Sequence, residues 1–489
     1  MRQASCPDRL LAPWWTLALP LTTMGALLMS PPERRMWVAP LATVVFVSLQ
    51  WLMPRCRVRT DHYMGPVNVA LLLLFIKLVI MPSLIMLTGA ESKVLTYLPG
   101  IASMQNVVLI DVVAYAAFCV GLSFGPNPGK HAGVPLAVLS GPGPGGGIVT
   151  AFAVIGIVGF IAAFGSPERL VEYFLDSTAK LQEETDASLV ALAGTFLRPF
   201  FAFSLVAWWS RYVDSATGGE SLWWPTLAGL LVTVGVTIAN LTFSFNRAAF
   251  VFPLASLLAV YSARVKRIPA GLAVTAAMLA LPVLIGVETM RANRMIGAET
   301  HLDSALEAVF SDIADNVKGY GGGPQYSAIF CERLGWGEHL YGGSTLVSSV
   351  MSPVPVLGKG FREGSGPTLF NRSIYDVKDI EDQILPFATE LFVNFHLPGV
   401  VAGFIGLGVF LAAAQHWFGN AESAFAAFSI QYVAIWGAML AAWSASIYSQ
   451  IVIYFFGPIY FYVACTHVLK GLRSMHRRQR AILRRQVPV

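Results

Sequence analysis

The sequence predicts an all-α, polytopic membrane protein with about twelve transmembrane helices and one large polar loop region. Hydrophobic residues make up 55% of the 489 residues and charged residues only 12%, with a mean hydropathy of +0.61, which is atypical of soluble proteins. The apolar residues lie in runs of about 20, the length that a helix needs to cross a bilayer. One long polar stretch, residues 288–396, interrupts these runs late in the chain.

Twelve apolar windows mark the predicted spans. The last two windows come from one long apolar run, so eleven or thirteen spans are also consistent with the sequence. Residues 1–287 then hold spans one to nine, residues 397–469 hold spans ten to twelve, and residues 470–489 form a basic tail. The predicted spans are 11–29, 36–53, 66–87, 104–124, 148–164, 189–209, 222–243, 247–263, 269–287, 397–417, 423–443 and 448–468.

Clusters of Lys and Arg determine the predicted orientation. With twelve spans, all three clusters fall on the same side as the N-terminus, and the positive-inside rule makes that side cytoplasmic. Both termini are then cytoplasmic, and the 288–396 region lies outside. The clusters are Arg55, Arg57 and Arg59 after span two, Arg264, Lys266 and Arg267 after span eight, and the basic residues of the tail.

Three segments outside the spans have distinct patterns. Gly125–Gly147 is rich in Gly and Pro, which predicts a plain linker, with a phosphate-binding loop as the alternative. Ser166–Ala187 places apolar and acidic residues on opposite sides of a predicted helix, which indicates an amphipathic helix at the outer face of the membrane. Apolar residues from Leu302 to Val317 repeat at helical spacing, and the Gly-rich sequence after them predicts short helices or an ordered loop.

Several function classes lack their sequence signatures. The five cysteines are scattered and only Cys331 lies in the loop region, so neither a disulfide framework nor a zinc site is predicted. No P-loop, Rossmann fingerprint or nucleophile elbow occurs. The net charge of +5 comes from helix ends and the tail, which argues against nucleic-acid binding. The two halves show no internal repeat, which disfavours a transporter.

Six basic residues are candidates for binding an anionic group. Arg198 lies inside span six, where an arginine is costly unless it lines a cavity or forms an ion pair, and Asp111 of span four is the candidate partner. Arg247 opens span eight after a short outer turn, so the positive end of a helix dipole adds to its guanidinium group. Snorkelling to the interface is the alternative for Arg247. The remaining four residues are Arg291, Arg294, Lys359 and Arg362.

One carboxylate and four ring-bearing residues complete the candidate site. Glu390 lies just before span ten, at the edge of apolar sequence, where a carboxylate can serve as a general base. Pairing with one of the arginines is the alternative for Glu390. Flat rings in and beside the loop region suit stacking on sugars, although isolated histidines also have structural roles. The candidate sugar-binding residues are Tyr320, Trp336, Tyr341 and His396.

Three short motifs follow one another in a recognisable order. They are SFNRA at Ser244–Ala248, YGGS at Tyr341–Ser344 followed by SPVPVLGK at Ser352–Lys359, and TELFVNFH at Thr389–His396. With the plan of many spans and one late outer loop, they resemble the oligosaccharide repeat-unit polymerase family, the Wzy-type O-antigen polymerases. The likeness covers most of the chain as architecture and these segments as motifs. His396 stands where a glycine is commoner in the family, and the SPVPVLGK segment lacks the family's Arg and Trp-Pro.

The resemblance implies a GT-C-like fold and a metal-independent, inverting glycosyltransferase that uses no cofactor. Its partners would be the lipid bilayer and an undecaprenyl-diphosphate-linked oligosaccharide, which it would polymerise into O-antigen or exopolysaccharide at the periplasmic face of a bacterial inner membrane. In this interpretation the six basic residues bind the diphosphate, Arg247 and Glu390 act in catalysis, and the four rings bind sugar. A chain-length regulator of the same pathway would be a candidate protein partner.

Three alternative functions stay open at this point. An O-antigen ligase shares the overall plan and the lipid-linked donor. A lipid-linked oligosaccharide flippase or transporter would be expected to have pseudo-symmetric halves and no large outer insertion. A non-catalytic scaffold of an envelope assembly complex is the third alternative.

Overall fold

The fold was obtained as a computed structural model that describes most of the chain. All regular secondary structure in the described residues is helical and none of it is strand, so the predicted all-α fold class is confirmed. The described residues are 12–52, 65–91, 95, 97–125, 143–165, 189–216, 223–241, 247–269, 318, 322–338, 340–375, 384–468 and 475.

The helices follow the apolar windows of the sequence. Up to residue 264 they are α1 (Ala12–Met29), α2 (Val38–Leu52), α3 (Pro66–Thr88), α4 (Ile101–Ser123), α5 (Gly146–Phe164), α6 (Leu189–Leu197), α7 (Pro199–Ala216), α8 (Trp223–Leu241) and α9 (Arg247–Arg264). After residue 318 they are α10 (Pro324–Arg333), α11 (Ser344–Met351), α12 (Lys359–Arg362), α13 (Gly366–Tyr375), α14 (Phe387–Gly419), α15 (Ala424–Ala438), α16 (Ala445–Phe455) and α17 (Gly457–Val468).

Proline and glycine set several helix ends. Pro66 and Pro324 occupy the first helical positions of α3 and α10, where the missing N–H costs nothing. Gly89 and Gly165 follow α3 and α5 with φ angles of 90° and 74°, in the region that glycine adopts without strain. Their N–H groups donate hydrogen bonds to Ile85 and Ile161, which closes the last helical turns.

In the part of the chain that the structure describes, five helices are long and apolar enough to cross a membrane, or six if the bent pair α16 and α17 forms one span. Four shorter apolar helices lie in the predicted spans one, two, seven and eight. Span 189–209 is divided between α6 and α7, with Arg198 between them, and span 269–287 lies outside the described residues. A membrane-embedded helical protein is therefore shown, while the number twelve stays a prediction.

The chain divides into two compact units. The first unit comprises Met1–Ala132, Ala270–His416 and Ala434–Gln450. The second unit comprises Gly133–Pro269, Trp417–Val433 and Ile451–Val489.

In the first unit, glycine allows α4 and α14 to approach closely. A Cβ atom on Gly121 would lie 2.2 Å from the carbonyl oxygen of Ile405, and one on Gly408 would lie 2.4 Å from the carbonyl oxygen of Phe118. Neither position has room for a side chain, as is common where helices of membrane proteins meet. The helix α4 also packs against α2 and against α10.

In the second unit, α5 packs closely on α6 and α7, again through glycine. A Cβ atom on Gly156 would lie 2.4 Å from the backbone nitrogen of Phe201, and one on Gly159 would lie 2.6 Å from that of Arg198. The chain neighbours α7 and α8 pack together, as do α8 and α9. Small residues therefore bring the backbones together in both units.

Polar contacts of Arg264 tie the end of α9 to other parts of the second unit. The Nη1 atom of Arg264 lies 3.9 Å from Oδ1 of Asp214, which also accepts a hydrogen bond of 2.8 Å from the N–H of Ala424. The other guanidinium nitrogen of Arg264 donates to the carbonyl oxygen of Ala421. Arg264 was assigned from sequence to a cytoplasmic cluster, and the structure adds that it bridges elements within this unit.

The described part of the loop region contains short helices, as predicted from its glycines. The helices α10 to α13 have between four and ten residues each. Burial raises the pKa of the Cys331 thiol in α10 to about 12, so this cysteine is an inert packing residue.

Three further predictions concern residues outside the described ones: the helix over Leu302–Val317, the amphipathic helix over Ser166–Ala187, and most of the Gly125–Gly147 linker.

Candidate functional site

The helix α14 breaks at His396. His396 has φ 57° and ψ −157°, a conformation that is essentially confined to glycine. Pro398 follows two residues later and cannot donate a backbone hydrogen bond, and it also disfavours helical geometry at the residue before it. The Leu397–Pro398–Gly399 sequence therefore accounts for the end of the first helical segment.

Three of the four predicted sugar-binding residues meet around this break. The ring centres of Phe392 and His396 are 4.5 Å apart. The ring centre of Trp336 lies 6.3 Å from that of Phe392, in an edge-to-face arrangement. The N–H of Tyr341 donates a 3.2 Å hydrogen bond to the carbonyl oxygen of Val393. His396 is exposed, and the side chains of Trp336 and Tyr341 are partly exposed.

The YGGS and TELFVNFH motifs are joined by hydrogen bonds. Gly342 donates to the carbonyl oxygen of Asn394 at 3.2 Å, and Gly343 donates to its side-chain oxygen at 3.0 Å. The Asn394 amide nitrogen donates in turn to Thr345 Oγ1 and to the carbonyl oxygen of Glu390. Since Gly342 and Gly343 have φ angles of 58° and 93°, the turn requires the two glycines of the motif.

The carboxyl group of Glu390 is completely buried one helical turn before Asn394. Its Oε2 accepts a 3.1 Å hydrogen bond from the N–H of Ala445, and the hydroxyl group of Ser349 also interacts with the carboxylate. A Cβ atom on Gly366 would lie 2.8 Å from Oε1, so Gly366 has no room for a side chain. Ser349 Oγ accepts a 2.9 Å hydrogen bond from the N–H of Gly366. Ser349 and Gly366 therefore form a cover over the carboxyl group of Glu390.

The alternative role predicted for Glu390, an ion pair with an arginine, is not seen among the described residues. Its hydrogen bond to Ala445 instead places the carboxylate at the start of α16, where free N–H groups favour negative charge. Among the described residues, no group of three His, Cys, Asp or Glu side chains is placed to hold a metal ion.

The structure places two of the six predicted basic residues in the first unit. Lys359 and Arg362 are the first and last residues of the four-residue helix α12, and both are exposed. Gly364, just after α12, lies beside Ser348 of α11, so the two cations belong to the segment that covers Glu390. Arg291 and Arg294 lie outside the described residues, as does the fourth predicted sugar-binding residue, Tyr320.

Arg198 and Arg247 belong to the second unit. Arg247 is the first residue of α9, as predicted, although its side chain is outside the described part. The guanidinium carbon of Arg198 lies 5.4 Å from the centre of the Phe164 ring, and its Nη2 donates to Thr195. Asp111, the candidate partner of Arg198 in the ion-pair alternative, forms an ion pair with another residue.

The partner of Asp111 is Lys77, which the sequence analysis missed. Lys77 Nζ lies 2.5 Å from Asp111 Oδ1, and both side chains are almost completely buried. Lys77 is part of a π-helical turn, Ile76–Ile80, within α3. A lysine in the middle of an apolar span was the available signal, since such a residue needs a partner at membrane depth.

Comparison with protein-family models, with curated proteins and with solved structures gives no match to this chain.

Proposed function

We propose that this protein polymerises undecaprenyl-diphosphate-linked oligosaccharide repeat units into a surface polysaccharide at the periplasmic face of the inner membrane. The observation that carries the proposal is the meeting of Trp336, Tyr341 and His396 around the break in α14, which lies six residues after Glu390. Rings that stack on sugars and a carboxyl group then lie in one small region. The apolar helices supply the membrane environment that a lipid-linked substrate needs.

The proposed reaction is an inverting glycosyl transfer. A hydroxyl oxygen of the lipid-linked repeat unit attacks the anomeric carbon of the growing glycan, and the bond from that carbon to the diphosphate oxygen breaks. The hydroxyl proton passes to Glu390, and undecaprenyl diphosphate leaves with the electron pair of the broken bond. Positive charge from Lys359 or Arg362 would stabilise the negative charge that develops on the diphosphate.

The proposal requires that the cover over Glu390 open when the substrate binds. Ser349 and Gly366 enclose the carboxyl group, and they belong to the segment that also presents Lys359 and Arg362. Binding of a diphosphate to these cations would move that segment and expose the carboxyl group. Segments that open and close over a catalytic group are common in enzymes.

Deletion of the gene in the producing strain tests the proposed polymerase activity. A polymerase deletion should convert the surface glycan from a ladder of lengths to a band with one repeat unit. Loss of a ligase would leave long polymer on undecaprenyl diphosphate, and loss of a flippase would leave repeat units inside the cell. An unchanged ladder would reject the proposal and favour a scaffold. Purified protein given a synthetic polyprenyl-diphosphate repeat unit should form the polymer directly.

A further inference from the structure

The turn between α11 and α12, residues 354–358, exposes apolar side chains. Val356 is 87% exposed and Leu357 is 58% exposed. The backbone of the turn is nevertheless well held, because the N–H of Gly358 donates a 2.7 Å hydrogen bond to Val354 and that of Leu357 donates to Pro355. We call this segment the apolar turn.

Val356 is an unfavourable residue for the conformation it adopts. Its φ angle is 68°, in the left-handed region where a β-branched side chain is strained and where glycine or asparagine is preferred. The hydrogen bonds of the turn involve backbone groups alone, so they do not require valine. What valine supplies at this position is an apolar surface pointing away from the protein.

Exposed cations and further apolar side chains flank the apolar turn. Lys359 and Arg362 follow it on α12, with Phe361 between them at 36% exposure. On α11, Val347 and Val350 are 56% and 43% exposed. Exposed apolar side chains also occur on the spanning helices, where lipid covers them, but α11 and α12 have only eight and four residues and cannot span a bilayer.

We propose that the apolar turn inserts into the membrane interface. Val356 and Leu357 enter the outer part of the acyl-chain region, and Lys359 and Arg362 bind the headgroup phosphates of anionic lipids. Apolar side chains next to basic ones are the pattern by which segments that do not span a membrane bind its surface. This inference does not depend on the proposed glycosyl transfer, since it concerns the position of the segment relative to the bilayer.

The membrane contact would be transmitted to the buried carboxyl group. Ser449 of α16 donates a 2.5 Å hydrogen bond to the carbonyl oxygen of Val350, and Ser446 and Ser352 share a 3.3 Å hydrogen bond. The first residue of α16, Ala445, donates its backbone hydrogen bond to the carboxylate of Glu390. The inserted turn would therefore connect the membrane surface to the cover of Glu390.

Photolabelling from the lipid tests this inference on the full wild-type chain. The protein is placed in nanodiscs whose phospholipid carries a diazirine on the acyl chain, irradiated, and analysed by mass spectrometry. We expect labels on residues 354–361 in addition to the spanning helices, and none on the largely buried helix α13. Labelled spanning helices with an unlabelled turn would overturn the proposal.

Val356→Asn separates membrane insertion from a structural role. Asparagine tolerates positive φ, so thermal stability in detergent should be unchanged or higher, while lipid labelling of the turn should fall several-fold. Glu363→Gln, at an exposed site in the same segment, is the matched control and should label like the wild type. Equal labelling of Val356→Asn and wild-type protein would overturn insertion through Val356.

The contribution of the cations is tested with two lipid mixtures. Labelling of the turn should be stronger in nanodiscs that contain phosphatidylglycerol than in those of phosphatidylcholine alone. The double variant Lys359→Gln with Arg362→Gln should lose this difference but keep labelling in both mixtures. A difference that persists in the double variant would overturn the assignment of the headgroup contact to these two residues.

Discussion

The carboxylate oxygen Oε2 of Glu390 lies 3.1 Å from the backbone nitrogen of Ala445 and accepts its hydrogen bond. This contact joins the short first segment of α14 to the start of α16 in the first unit. The same side chain is the candidate general base, so its structural and chemical roles must be separated by experiment.

Two substitutions of Glu390 separate these roles. Glu390→Gln keeps an oxygen that can accept the hydrogen bond from Ala445 but cannot take a proton, so polymer formation should fall about 100-fold or more with little change in stability. Glu390→Ala also leaves a buried N–H without a partner and should cost about 1–3 kcal/mol of stability. Activity with the synthetic repeat unit and thermal unfolding in detergent are the measurements. Nearly normal polymer from Glu390→Gln would leave only the structural role.

His396→Gly should change stability and activity in opposite directions. Relief of strain at φ 57° and ψ −157° is worth about 1–3 kcal/mol, and the added freedom of glycine in the unfolded chain offsets about 0.5–1 kcal/mol of it. We therefore expect a higher melting temperature together with weaker binding of the sugar. His396→Ala is the matched control, because it removes the ring and keeps the strain. If both variants melt at the wild-type temperature, the break is not strained.

Separating Lys77 from Asp111 should destabilise the first unit. Lys77→Met leaves a buried carboxylate without its partner, which typically costs about 3–5 kcal/mol. Combining Lys77→Met with Asp111→Leu should recover most of this loss, because apolar replacement of a whole buried pair is often neutral. Thermal unfolding of the three proteins in detergent checks the prediction. A single variant as stable as the wild type would show that the pair is not closed in the membrane.

Arg247→Ala should reduce polymer formation by about 100-fold or more if this residue stabilises charge on the diphosphate. Arg247→Lys should restore only part of the activity, since an ammonium group cannot make the bidentate contacts of a guanidinium group. Arg264→Ala, at the other end of α9, is the control and should lower stability through its contact with Asp214. Normal polymer from Arg247→Ala would remove Arg247 from the mechanism.

Reporter fusions test the predicted orientation. Fusions ending at Gly322 and Ser365 should report the periplasm, and those ending at Arg57, Arg267 and Arg480 should report the cytoplasm. A periplasmic signal from Arg480 would contradict the twelve-span arrangement, because it requires an odd number of crossings.

The positions of the helices could be predicted from sequence far better than the contacts between them. Apolar windows located α1 to α5 because each helix needs a long apolar stretch to face lipid, and that property is local. The TELFVNFH motif, which contains Glu390, could also be recognised from the sequence. Its enclosure by Ser349, Gly366 and Ala445 could not be foreseen, because these residues lie in three separate segments.

The pairing of buried charges shows the same limit. Asp111 was recognised as a costly residue in a span, but its partner was sought at Arg198 rather than at Lys77. The choice depends on which helices are neighbours, and apolar periodicity does not encode that. Likewise, the strain at His396 depends on a backbone angle, for which the nearby proline was the only local signal.

The π-helical turn at Ile76–Ile80 has a consequence for length variation among related chains. Its hydrogen bonds run from residue i to residue i+5, so the turn takes up more residues than an α-helical turn. Lys77 lies within this turn, so we expect the wider turn to accompany the Lys77–Asp111 pair. We expect related chains without the pair to carry a single-residue deletion between Pro66 and Gly89, inside a membrane span, where deletions are otherwise poorly tolerated.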